Sequence, residues 1–222
     1  MASKLVAVVG ETGSGKTTSI ETMDPKDTYV IGVAGKELPF RGADKMYSTE
    51  NRNYKAVESA KEILDLLKVI SKEAPHVKNI VIDDANYIMS FDLVNKATET
   101  GFTKFSLLAQ GMVRLIQEAK KLRDDLIVYY FSHSDEVEDS GEIVTYKMKT
   151  SGKMLDNQVN LAGLFTIVLY TYVETKGDKS SYWFVTNRFQ KLPAKSPKGM
   201  FDLIKVPNDL KAVTETIREY YK

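Results

Sequence analysis

Gly10-Glu11-Thr12-Gly13-Ser14-Gly15-Lys16-Thr17 is the stretch that decides the fold. Its spacing, Gly-x4-Gly-Lys-[Ser/Thr], is that of a loop built to hold a triphosphate. A polyanion is met at closest range by backbone N–H groups, and side chains at Gly13 or Gly15 would obstruct that approach. Lys16 is expected to reach the β- and γ-phosphates of ATP from an exposed loop, and Thr17 to offer its hydroxyl to Mg²⁺. Gly10, Thr12, Ser14 and Thr18 complete the expected nucleotide contacts.

The context on either side agrees. Residues 5–9 are an apolar, valine-rich run that reads as a buried strand feeding the loop, and a helix is expected from near Lys16 to about Met23. Past the turn Asp24-Pro25, residues 29–33 form a second apolar run. Between 57 and 73, Ile63, Leu66, Leu67 and Ile70 recur with the spacing of an amphipathic helix, which Pro75 closes.

Asn79-Ile80-Val81-Ile82-Asp83-Asp84 is a buried strand with an acidic end, the second half that a phosphate-binding loop requires. Asp83 is expected to hold Mg²⁺ through its water shell. Asp84 is a candidate to orient or deprotonate the attacking water, and Glu37, just past the second strand, competes for that role. A long helix follows, with Leu108, Met112, Leu115, Ala119 and Leu122 on one face. The strand 126–131 then ends at Ser132-His133, where His133 either senses the γ-phosphate or finishes the strand.

Strand and helix thus alternate, as in a mostly parallel α/β sheet covered on both faces. The last third differs. Residues 165–173 and 181–186 flank a Lys176-Gly177-Asp178 turn, which reads as a late antiparallel hairpin, and Leu210, Val213 and Ile217 mark a closing helix. No repeat or linker divides the chain, so one domain over residues 1–222 is expected.

Composition limits the alternatives. Lys and Arg number 31 against 30 Asp and Glu, a net charge of +1, so any grip on nucleic acid has to be local. The absence of Cys excludes disulfides, Cys-ligated zinc and thiol catalysis, and His76 and His133 are too few for a histidine metal site. No apolar stretch is long enough to span a bilayer and the N-terminus lacks a signal peptide, so a cytoplasmic protein without membrane contact is expected.

The order of these features resembles a RecA-type core. It is most similar to the core-only RecA-like single-strand annealing proteins of phages, the fourth Sak class. The matching points are residues 10–17, 79–84, Ser132-His133, Thr150-Ser151-Gly152-Lys153 and 187–201, of which only the first is highly specific. The resemblance implies a Mg²⁺-dependent ATPase stimulated by single-stranded DNA, acting as a ring or filament in recombination or annealing in the infected host cytoplasm, with a single-strand DNA-binding protein as a further partner. It also implies that His133 couples ATP to a DNA-contacting loop at 135–150, and that Arg188 and Lys191 reach ATP on a neighbouring subunit, with Lys195 and Lys198 nearby.

Local charge fits strand binding in part. Lys147, Lys149 and Lys153 lie beside Tyr146, but Asp135, Glu136, Glu138, Asp139 and Glu142 precede them and would repel phosphates. A loop at 90–104, carrying Lys96, Phe102 and Lys104, is a second candidate. Two other classes remain open: a P-loop kinase of nucleotides or small molecules, against which the six dispersed arginines argue mildly, and a non-hydrolysing ATP switch.

Overall fold

The computed structural model describes residues 2–98, 100–101, 103–151 and 159–222; Phe102, Gly152 and Lys153 lie outside them. Nine strands form one sheet among the described residues: β1 (Lys4–Gly10), β2 (Thr28–Gly32), β3 (Tyr54–Ala56), β4 (Asn79–Asp83), β5 (Ile127–Asp139), β6 (Glu142–Met148), β7 (Ile167–Lys176), β8 (Lys179–Val185) and β9 (Lys205–Pro207). Their order is β3-β2-β4-β5-β1-β7-β8-β9, with β6 paired to β5. The first six run parallel, and β8 and β9 close the sheet in antiparallel fashion.

Alternation along the strands sorts the core into two layers. Leu5, Ala7 and Val9 of β1, with Ile80, Ile82, Val128 and Tyr130, bury one face under α2 (Ala60–Glu73) and α4 (Thr103–Ala119). Val6, Val8, Val81, Ile127, Tyr129 and Phe131 bury the other under Ile20 and under α5 (Leu210–Tyr220), which contributes Leu210, Val213 and Ile217. A strand covered on both sides has no polar face, which explains the near-continuous apolar runs. Each fully buried side chain such as Ile63 or Leu67 contributes about 2 kcal/mol of hydrophobic stabilisation.

Register then collects the chemistry at one edge. Gly10 lies opposite His133 and Gly32 opposite Asp83, so the loop, the acidic strand end and the residues past β2 all emerge at the carboxyl ends of parallel strands. β5 runs between β1 and β4, which puts His133 between the loop and the two aspartates.

Three expectations need correction. The helix expected after Lys16 is a 3₁₀ segment, Thr17–Thr22, because Ser19 and Thr22 hydroxyls bond back to the carbonyls of Lys16 and Ser19 and Asp24-Pro25 stops the chain before an α-helix is established. The stretch taken as a loop from residue 90 begins inside a helix, α3 (Tyr87–Asn95). Finally, β5 continues past His133 to Asp139 and pairs with β6, so the acidic and basic segments form a twisted ribbon with a bulge at Val137 and Glu138 rather than a loop.

Candidate active site

The glycines of the loop are set by contact and by backbone. A Cβ on Gly10 would lie 1.7 Å from Thr171 Oγ1, so β1 can end against β7 only with glycine there. Gly15 has φ of +89°, and its Cβ position faces the Tyr182 ring at 3.0 Å. Inside the loop, Ser14 Oγ donates to Glu11 O at 2.6 Å and accepts from Thr171 Oγ1 at 2.6 Å.

Although the loop is expected to be exposed, Lys16 itself is buried, only 4% accessible. Its Nζ donates to Gly10 O at 2.8 Å and to Glu11 O at 2.7 Å, so the ammonium sits at the centre of the loop. Burial lowers its pKa to about 8, opposed by the attraction of Asp84 and Asp83. The loop's own carbonyls take up its charge.

At the end of β4 the two aspartates part. Asp83 is 3% exposed and accepts a hydrogen bond from Thr17 Oγ1 at 2.9 Å. Burial and the neighbouring Asp84 raise its pKa to about 6, against the Thr17 hydrogen bond and the charges of Lys36 and Lys16. Asp84 has left the strand with φ of +57° and turns to other partners. Lys36 Nζ stands 2.5 Å from Asp84 Oδ2, an ion pair rather than an aligned hydrogen bond. His133 Nε2 lies 3.3 Å from Asp84 Oδ1. Burial works to raise the pKa of Asp84, but His133 and Lys36 outweigh it and hold the carboxyl below its ordinary value.

His133 bridges the two halves of the site. Its Nδ1 is 3.4 Å from Thr12 Oγ1, and its backbone N–H donates to Asn86 Oδ1 at 3.0 Å. All of this borders a cleft of about 680 Å³ whose lining includes Thr12 to Thr18, Lys36, Glu37, Asp84 and His133. Glu37 is an exposed wall of that cleft.

A divalent ion fits here by donor chemistry. Thr17 and Asp83 present a hydroxyl and a buried carboxylate in mutual contact, both hard oxygen donors, and an unneutralised buried carboxylate gains from a cation. No cluster of three or more His, Cys, Asp or Glu suited to a metal occurs among the described residues.

Arg188 and Lys191 are exposed beyond β8, and neither borders the cleft. Lys191 lies on a tight turn from Phe189 to Leu192. Several cleft residues carried no sequence signal: Lys36, Tyr182, Asn208 and Asp209 belong to no motif and are brought together only by the fold.

A family model described as AAA domain matches residues 2–197. No curated protein matches. Among solved structures, a KaiC-like protein from the hyperthermophilic archaeon Pyrococcus horikoshii OT3 superimposes with a TM-score of 0.54 at 12% identity, covering 92% of this chain and 84% of that one. At that identity the likeness concerns the fold.

Proposed function

The chain belongs to the AAA domain family; from that premise we propose that it is a P-loop ATPase that hydrolyses Mg²⁺-ATP as a homo-oligomer acting on single-stranded DNA, in phage recombination or annealing. The observation that carries the ATPase chemistry is the Thr17–Asp83 contact at 2.9 Å beside the buried Lys16 ammonium. Thr17 and Asp83 would hold Mg²⁺, which would supply positive charge to offset that of the phosphates.

Lys16 leaves the carbonyls of Gly10 and Glu11 for the phosphates, while the loop N–H groups hold the anion. Glu37 orients the attacking water, because it is an open carboxylate on the cleft wall whereas Asp84 is occupied by Lys36 and His133. Asp84 is the positioning residue: it keeps Lys36 and His133 facing the γ-phosphate, and His133 relays that contact to Thr12 and, through Asn86, to α3.

Arg188 supplies charge to ATP on a neighbouring subunit, since it is exposed and away from its own cleft. What supports strand contact is the end of β6, where Tyr146 is followed by Lys147 and, just past the strand, by Lys149, although Lys149 is paired with Asp135 at 3.1 Å. Phosphate release from Mg²⁺-ATP, with and without oligo-dT, tests the proposal. Release that oligo-dT accelerates is expected. Release that instead requires a small-molecule acceptor would make the protein a kinase, and nucleotide binding without release would make it a switch.

A further inference from the structure

The P-loop has a second side that the hydrolysis chemistry leaves unused. A cavity of about 600 Å³ lies behind it and shares only Ser14 with the nucleotide cleft. One wall is the start of the loop, Gly10 and Glu11; the others come from β6, β7 and the turn carrying Gln190 and Lys191.

The lining is specific in kind. Tyr146 and Tyr172 are half-buried rings on its walls, and Glu11, Gln190 and Lys191 are exposed at its rim. The Tyr172 ring packs edge-on against Phe189 at 5.5 Å, and the Tyr146 backbone N–H donates to Lys191 O at 3.2 Å, tying β6 to the turn. Gln190 holds φ of +51°, so the turn that presents Lys191 is kept at a backbone cost.

Aromatic walls call for a flat partner. A rim with a carboxylate acceptor, an amide that both donates and accepts, and one ammonium calls for a heteroaromatic edge next to a single negative charge. A purely aliphatic ligand would leave those groups unmatched, and a polyphosphate would meet the Glu11 carboxylate. The volume lies within the usual range for a small-ligand site.

The cavity is also wired to the loop. Thr171 Oγ1, on its wall, donates to Ser14 Oγ, which donates to Glu11 O, the same carbonyl that accepts Lys16 Nζ at 2.7 Å. A ligand pressing on Glu11 or Thr171 therefore acts on the group that holds Lys16.

We propose that this cavity takes a nucleobase, and that its occupancy is transmitted through Thr171, Ser14 and Glu11 to Lys16; the assignment of that base to single-stranded DNA rests on the function proposed above. Binding of fluorescent oligo-dT to the full chain, followed by anisotropy, tests it alongside a length-matched abasic strand. Tyr146→Ala is expected to weaken oligo-dT binding by about 5- to 100-fold, the range of one lost base–aromatic stack, while Tyr146→Phe stays within about twofold. The abasic strand should bind wild type and Tyr146→Ala alike. The acceleration of phosphate release by oligo-dT should shrink toward none in Tyr146→Ala.

The outcomes separate the two ideas. If wild type binds oligo-dT and Tyr146→Ala binds it equally well, the cavity proposal is overturned and the single-strand function stands. A third arm measures thymidine monophosphate by calorimetry with the nucleotide cleft filled by a non-hydrolysable ATP analogue. If only the monophosphate binds, and Tyr146→Ala abolishes it, the base site stands with a free nucleotide as its ligand and the single-strand function falls. Binding of neither probe overturns both.

Discussion

Asp83 accepts the Thr17 hydroxyl in a buried setting, and its carboxyl pKa is pushed up to about 6 by burial and by Asp84, against an ordinary 3.8. A carboxyl with a raised folded pKa holds its proton more tightly in the folded state. Stability is therefore gained as pH falls through about 6 and is lost above it, where the buried charge has to be carried. Asp83→Asn removes that charge and keeps an Oδ1 to accept from Thr17. At pH 7.5 the variant should be more stable than wild type by roughly 2–3 kcal/mol, with the gain shrinking by pH 5 and below. Thermal melts across that pH range check it, and Mg²⁺-dependent ATP turnover should be lost in the same variant. A variant less stable at pH 7.5 would show that the carboxylate is already compensated. Residues like Asp83, Lys16 and Thr17 were legible because their chemistry fixes both type and spacing in sequence. Lys36 was not, because its value comes from an ion pair with Asp84 across 48 positions of chain that no motif encodes.

Among the elements, α2 shows what a complete set of local signals achieves. Ser59 caps it by accepting from the Glu62 N–H, Ile63, Leu67 and Ile70 bury one face, and Pro75 stands just beyond its end. Its last carbonyls are met from a distance: Arg123 Nη1 donates to Ile70 O at 3.2 Å and to Ser71 O and Ala74 O at 3.0 Å, and Arg123 Nε pairs with Asp125 at 2.7 Å. Removing this fork leaves helix-end carbonyls without their charged donor. Arg123→Ala should cost about 2 kcal/mol in urea unfolding while turnover at saturating ATP is unchanged, since the fork lies at the sheet edge opposite the cleft. A loss too small to measure would mean that water replaces the guanidinium. The elements that sequence reading missed lack such agreement. Tyr87 to Asn95 mixes apolar residues without a clear period, so α3 was not seen. The extension of β5 past His133 is hydrophilic and is held by its pairing with β6, a contact that only the folded sheet supplies.

At the scale of the whole molecule, the alternation of strand and helix and the late hairpin were legible from periodicity and turns, and the sheet order placed His133 between the loop and the aspartates. No helix among the described residues is long and apolar enough to cross a membrane. Subunit assembly has its own test. If Arg188 serves a neighbour's ATP, Arg188→Ala and Lys16→Ala subunits, each nearly inactive, should recover turnover when mixed, because a finger supplied in trans is worth about 10³ to 10⁵ in rate. No recovery, with turnover independent of protein concentration, would remove the shared site. In the proposed mechanism the buried Lys16 ammonium and the Thr17–Asp83 pair hold ATP for cleavage. Phosphate release from Mg²⁺-ATP by wild type and Lys16→Ala, at matched concentration and with melts confirming both folds, tests it most directly. Release by wild type that falls about 100-fold or more in the variant is the predicted result. Equal release from the two proteins, or none from wild type at any concentration with oligo-dT present, would contradict the account.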